Sequence, residues 1–410
     1  MHSDSCFVIV GGGQAGRWVA LTLRAEGYAG RIVWFGDELH RPYDRPPLSK
    51  AVIQGEVAMD KLALLPEAKF DELSVEWRPG ERIVAIDRER RIVRSSEGAE
   101  VGYDRLFLAT GGQARTLPGM APHPRVLTLR SFEDALAIRQ QLADAERVLV
   151  LGGGWIGLEL AASSRKLGKQ VTVLEAAPRL CIRTVPPCVS EQLLALHQGQ
   201  GVDVRIGDGV QSVEPGDAGV VVTLASGARL QGDVLAVGIG LVANDRLAAD
   251  AGLECANGVL TDAHGRSSDP QVFAVGDVAN ALRADGQRLR IESWENAQRQ
   301  AVAAAKAALG IAHDPEAEGP PWFWSDQFDD NLQLLGLPSE QMRVIERVVP
   351  AKRQRVYFFC DGARVRAVAA LNAGREIKVA RRWMQQDRYP ALESLADPAV
   401  DLNKLPLAAA

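Results

Sequence analysis

Two stretches of this chain join a short apolar run to three glycines spaced G-x-G-x-x-G: FVIVGGGQAG at 7–16 and VLVLGGGWIG at 148–157. In this pattern the first glycine allows a tight turn from strand to helix. The second lets the backbone approach a pyrophosphate, and the third lets the helix pack on the sheet. Gly11, Gly13 and Gly16, and again Gly152, Gly154 and Gly157, are therefore candidates for holding phosphates at a helix N-terminus. Free N–H groups and a partial positive charge meet the anion there. One copy is a weak signal. Two copies in matched settings suggest two dinucleotides, a flavin and a nicotinamide.

An acid closing the second strand of such a unit binds ribose hydroxyls. Glu175 follows the apolar run VTVL at 171–174. A carboxylate there accepts from a 2′-OH and repels a 2′-phosphate, which favours NADH over NADPH, although Arg179 lies nearby. In the first unit the strand ends FGDE at 35–38, and Asp37 is the expected ribose ligand. Downstream, RPPLSK at 45–50 has a backbone fixed by prolines, and Ser49-Lys50 is expected to open a helix. A cation beside an isoalloxazine stabilises negative charge on the reduced ring, and Lys50 is assigned that neighbourhood.

Other candidates have more than one reading each. Glu159 complements the helix dipole, or contacts the nicotinamide or pairs with Lys50. Trp155 either gates the nicotinamide–flavin contact or packs in the core. Gly276-Asp277 ends an apolar strand, where Asp277 bonds a ribityl chain or caps the next element. Trp322 and Trp324, in WFWSDQ at 322–327, border a flavin on its electron-exit side or staple a third domain down. Trp294 has the same two readings.

The five cysteines, Cys6, Cys181, Cys188, Cys255 and Cys360, form no C-x-x-C and no zinc spacing, so no metal site is expected. Residues 40–55 contain none, which argues against a disulfide or peroxide reductase and for electrons leaving toward an external acceptor. A net charge of −5 argues against nucleic acid as a partner. Local basic clusters (Arg343, Arg347, Lys352, Arg353, Arg355 and Arg375, Lys378, Arg381, Arg382) are solvated faces or a docking surface for an acidic protein. No apolar run approaches the ~20 residues of a membrane span. The opening MHSDSC resembles no secretory leader, so a cytoplasmic, reduced protein is expected. The sequence sets no oligomeric state.

These residues need elements to position them. Residues 6–36 and 147–175 each read strand, glycine turn, helix, strand. YDRLFLATGG at 103–112, with Thr110 and Gly111 counted among the flavin contacts, reads as a crossing between domains. The expected fold is α/β, with two Rossmann-type domains and a C-terminal α+β domain. Its boundaries are 1–113 and 238–311 for a discontinuous flavin domain, 114–237 for the nicotinamide domain and 312–410 for the third. HDPEAEGPP at 313–321 reads as a linker. Strands are expected at 343–349, 356–360 and 365–371, then a helix from about Glu376.

The fingerprints together with RPPLSK, ATGG (109–112), AVGD (274–277), IESW (291–294) and WFWSDQ resemble the NADH-dependent ferredoxin reductases of bacterial oxygenase systems, the biphenyl-dioxygenase-type and putidaredoxin reductase family. The resemblance runs in order over nearly the whole chain. It implies a glutathione-reductase-like fold, FAD and NAD as cofactors, and hydride transfer from NADH to FAD. Single-electron transfers to a [2Fe–2S] ferredoxin would follow. By the same resemblance, Ala15, Asp37, Lys50, Ile83, Arg130, Asp277 and Trp294 contact FAD, and Gly154, Ile156, Glu159 and Glu175 contact NAD. Trp155 departs from the valine or tyrosine expected there. A rubredoxin reductase, or a flavin redox sensor of the apoptosis-inducing-factor type, are the alternatives.

Replacing Glu175 by Ala is expected to shrink the NADH-over-NADPH ratio of kcat/KM by about tenfold or more, the scale of one lost charge-assisted hydrogen bond. An unchanged ratio would remove Glu175 from the ribose.

Overall fold

The structure, a computed structural model, describes residues 5–315, 317 and 319–409; part of the linker expected at 313–321 and the first four residues of the chain lie outside them. The chain forms two compact units, one of residues 1–44, 59–113 and 241–317, the other of 45–58, 114–240 and 318–410.

In the first unit, five parallel strands line up in the order Val272–Ala274, Arg105–Leu108, Cys6–Val10, Arg31–Gly36, Glu76–Pro79. Successive residues of a strand point to opposite faces, and here both faces are covered, so the strands read as unbroken apolar runs. Phe7, Ile9, Trp34 and Phe107 face a core shared with Val19 and Leu23 of the helix Gln14–Ala25 and with Ala301, Ala304 and Ala305 of the helix Trp294–Ala308. Val8, Val10, Val33, Leu106 and Leu108 face the opposite core, closed by Ile83, Val93 and Val101. The last three come from a small antiparallel sheet, Ile83–Asp87, Ile92–Ser95 and Glu100–Gly102, that the sequence reading did not resolve.

The second unit repeats the parallel plan in the order Asp203–Ile206, Gln170–Glu175, Arg147–Leu151, Val234–Val237, Val126–Thr128. The helix Trp155–Lys166 follows its glycine turn. The same unit carries a five-stranded antiparallel sheet in the order Trp322–Gln327, Asp330–Gly336, Arg364–Leu371, Gln354–Asp361, Arg343–Val349. The expected strands near 343, 356 and 365 and the helix, at Gly374–Gln386, are present. Trp322–Gln327, which the sequence marks only as an aromatic cluster, forms a hairpin with Asp330–Gly336. Among the described residues no helix is long and apolar enough to cross a membrane.

The basic cluster at 343–355 is no uniform solvated face. Arg347 is buried, and its guanidinium donates to the carbonyls of Asp397, Pro398 and Val400. Arg353 pairs with Asp330 at 2.8 Å, and Arg355 pairs with Glu346. Arg347 thus anchors the C-terminal loop by gathering its carbonyls onto one buried guanidinium. Replacing Arg347 by Met is expected to cost roughly 2–4 kcal/mol, read as a fall in denaturation midpoint, because several charge-assisted hydrogen bonds are lost at once. A surface-like loss below about 0.5 kcal/mol would contradict this.

Candidate active site

Each glycine fingerprint builds a cradle of the same geometry. Gly11 has φ +124°, and a Cβ there would stand 2.1 Å from the Ala109 carbonyl oxygen. Gly152 has φ +107°, with the Gly238 oxygen 2.4 Å from the corresponding point. A Cβ on Gly16 or Gly157 would strike the carbonyl of the first glycine at 2.2 or 2.0 Å. By contrast, a Cβ on Gly13 or Gly154 would meet nothing within 4 Å. Those two glycines also precede helices that no side chain caps. Open space in front of uncapped N–H groups is what a pyrophosphate requires, so both cradles fit a dinucleotide. In the first unit the Gln14 side-chain Nε2 is also buried without a hydrogen-bond partner.

The acids beyond the strands differ between the two units. The Gly11 N–H donates to Phe35 O at 2.8 Å, and Gly152 N–H donates to Leu174 O at 2.8 Å. Phe35 therefore matches Leu174, and Gly36, not Asp37, stands where Glu175 does. A Cβ on Gly36 would lie 2.5 Å from the indole of Trp77, which fills that space. Asp37 is exposed one residue further on. Glu175 accepts from Gly153 N–H at 2.7 Å and Ala177 N–H at 2.8 Å, which fixes the carboxylate at the mouth of the second cradle. Arg179, the residue that weighed against NADH, donates to the carbonyls of Val185 and Ile182, to Ser190 and to Glu340. Those bonds commit it to the 182–190 segment and to Glu340. Cys181 lies buried beside the Gly153 carbonyl, and burial pushes its thiol well above the ordinary range.

Of the remaining first-unit candidates, Gly276 adjoins the cradle. A Cβ on Gly276 would lie 3.0 Å from that of Ala15, so these two positions adjoin. Asn244 clasps Thr110 and Gly111: its amide donates to Thr110 O at 2.9 Å and its N–H to Gly111 O at 3.0 Å. The Trp294 indole donates to Asp44 at 2.9 Å, and Ile83 is buried at the start of its strand. Asp277 is half-buried, and its carbonyl accepts from Arg290.

In the second unit the short helix Pro46–Ser49 is followed by Ala51–Gln54, with Lys50 at the junction rather than within one helix. Lys50 Nζ lies 3.0 Å from Glu159 Oε1, and Glu159 is 4% exposed. The same oxygen accepts from Ser325 Oγ at 2.6 Å, while Oε2 accepts from Ser49 Oγ. The pairing with Lys50, one of the readings for Glu159, is realised. Alternation along Trp322–Gln327 places Trp322 and Trp324 on one face, stacked at 5.0 Å, and Phe323, Ser325 and Gln327 on the other. Phe323 meets Trp155 at 5.0 Å, leaving Trp155 half-buried and Ile156 exposed. Arg130 N–H donates to Asp134, at the start of the next helix, and its carbonyl accepts from Arg45.

The sequence reading passed over Ser325, Gln327 and His197. Period-two alternation in WFWSDQ would have put Ser325 and Gln327 on one face. Nothing in the sequence around His197 marks it, yet it is fully buried, with Nε2 2.9 Å from Gln327 Oε1.

Residues 6–301 match the family model for pyridine nucleotide-disulphide oxidoreductases and residues 322–406 the model for the reductase C-terminal domain; the chain belongs to that oxidoreductase family. It uses FAD and NAD(H). Within the family, the chain is 37% identical to the putidaredoxin reductase solved as a covalent complex with putidaredoxin, covering 98% of both chains at a TM-score of 0.92. It is 36% identical to the ferredoxin reductase for the CYP199A2 system from Rhodopseudomonas palustris, covering 98% of this chain and 99% of that one at a TM-score of 0.93. Fdr9 is 32% identical, with a TM-score of 0.84 over 97% of this chain and 99% of the other.

Burial lowers the pKa of His197, so the native state holds it neutral. The unfolded chain takes up that proton near pH 6.5. Stability is therefore fully present above about 6.5 and is lost as pH falls from there through the lowered native value. Melting temperature followed from pH 8 to pH 5 should fall less steeply for His197→Gln than for the parent. Parallel curves would mean that His197 does not titrate on unfolding.

Proposed function

We propose that this chain is an FAD-containing NADH:ferredoxin reductase that supplies a [2Fe–2S] ferredoxin of a multicomponent oxygenase, either an aromatic-ring dioxygenase or a haem monooxygenase. The observation that carries this reading is the pair of uncapped glycine cradles in a chain whose near-full-length relatives are reductases of oxygenase systems. FAD, when bound, accepts two electrons together as hydride from NADH and releases them singly. The chain's own residues bind, orient and tune. Hydride transfer needs no side chain to move a proton, so positioning and electrostatics account for the protein's share.

In this reading Gly11, Gly13, Ala15, Gly16, Asp37, Ile83, Thr110, Gly111, Arg130, Gly276, Asp277 and Trp294 hold FAD. Gly152, Gly154, Trp155, Ile156, Gly157 and Glu175 hold NADH, with Glu175 selecting the free 2′-OH. Lys50 brings a cation to the reduced ring, and Glu159 keeps that ammonium in place. Trp322 and Trp324 border the exit for electrons, and nearby arginine and lysine side chains meet an acidic ferredoxin. The chain is read as cytoplasmic, with the third domain beginning at about 312.

The test is anaerobic stopped-flow absorbance with NADH, followed by oxidised [2Fe–2S] ferredoxin. Rapid flavin bleaching is expected, then reoxidation matched in time and stoichiometry by ferredoxin reduction. Onward transfer to rubredoxin but to no ferredoxin would replace the carrier. Bleaching with no onward transfer to either would replace the reading with a redox sensor.

A further inference from the structure

A buried carboxylate accepts hydrogen bonds and cannot donate them while it is ionised. This fixes the direction of every bond in the chain that ends on Glu159. Ser325 must donate its only hydroxyl proton to Glu159 Oε1, at 2.6 Å. Its oxygen is then free to accept, and Gln327 Nε2 supplies the donor at 3.0 Å. The Gln327 amide is thereby oriented, with Oε1 turned toward His197 Nε2 at 2.9 Å. An amide oxygen only accepts, so His197 must carry its proton on Nε2. Its Nδ1 is then a bare acceptor, and it has no hydrogen-bond partner. The ring is fully buried, packed against Phe328 at 5.1 Å, in the last turn of the helix Pro187–Gly199.

We infer that His197 is a positioning residue for the hydride-transfer site, acting through Gln327 and Ser325 on the Glu159–Lys50 pair. Without the Nε2–H donor, the Gln327 amide loses the partner that holds its oxygen away from Ser325. A turned amide presents that oxygen to Ser325, whose hydroxyl then donates to Gln327 and no longer to Glu159. Glu159 is left with Ser49 and Lys50, and the ammonium is drawn toward the vacated side of the carboxylate. All links in this relay are nearly or fully buried except Lys50, so water does not replace a missing donor. The inference rests on the reading that Lys50 and Glu159 serve hydride transfer.

Two readouts test it. In protein carrying 15N-labelled histidine, long-range 1H–15N spectra should report His197, identified by its loss in His197→Gln, as the neutral Nε2–H tautomer at pH 7.5. An Nδ1–H tautomer or an imidazolium would overturn the relay. In the FAD-loaded enzyme, His197→Phe should lower the limiting rate of flavin reduction by NADH about five- to tenfold, with the apparent NADH dissociation constant within about twofold. His197→Gln, whose amide N–H replaces Nε2–H, should recover the rate to within about twofold even if it is equally heat-labile. Gln327→Met cuts the relay one link closer and should match His197→Phe, so it decides the outcome should the phenylalanine variant fail to fold. Losses that merely follow melting temperature, or an unchanged rate in Gln327→Met, would overturn the inference. Glu159→Gln separates the two levels. If it reduces flavin at the parent rate, the reading of the Lys50–Glu159 pair fails; if it is slow while the relay variants are not, only the relay fails.

Discussion

A carboxylate with 4% of its surface exposed cannot rely on water, and Glu159 obliges two distant stretches of chain to serve it. The turn at 45–50 brings Ser49 and Lys50, and the edge strand Trp322–Gln327 brings Ser325. Glu159 itself rides on the first turns of the helix that the second glycine cradle begins. A group of serines without charge would not hold such an ion; Lys50 supplies the compensating cation, with about a fifth of its own side chain left open. The segment 45–58 accordingly clusters with the second unit, although the residues on either side of it in sequence belong to the first. Ser163 reinforces the attachment by donating to Ser49 O at 2.7 Å, and Gln54 donates to Ser163 at 3.0 Å.

The two cradles show how one backbone plan is adjusted for two ligands. The steric demands at the first and third glycines are nearly identical, because strand, turn and helix meet in the same way. The difference lies at the following strand end. In the second unit a carboxylate folds back onto the glycine turn, and in the first the Trp77 ring takes its place. Trp77 is held edge-on to Trp34 at 5.1 Å, and the Trp34 indole donates to Gly11 O at 2.9 Å. Aromatic packing thus does for the first turn what a charge-assisted bond does for the second.

Much of the α/β plan was legible in the sequence, because apolar runs, glycine turns and helical stops recur within short windows that reflect local backbone geometry. The positions of the glycines and of Glu175 followed from that, whereas the Lys50–Glu159 pairing was only one of several readings of Glu159. The position of Asp37 needed the hydrogen-bond register, which a count of residues does not give. The hairpin at 322–336 was obscured because its aromatic residues suggested a cluster before they suggested alternation. Arg347 read as surface charge since nothing local announces that four carbonyls of a distant loop converge on it. His197 was illegible for a similar reason: its partner lies 130 residues away, and burial of a histidine leaves no trace in spacing.

Glu159 is buried and depends on Lys50 for its compensating charge. A double-mutant cycle on melting temperature, comparing Lys50→Met, Glu159→Gln and the double variant, tests it most directly. Breaking a buried pair from one side costs about 3–5 kcal/mol because a charge is stranded, whereas removing both charges costs much less. The double variant should therefore melt above Lys50→Met. Losses that simply add would contradict the account and make the pair an incidental contact.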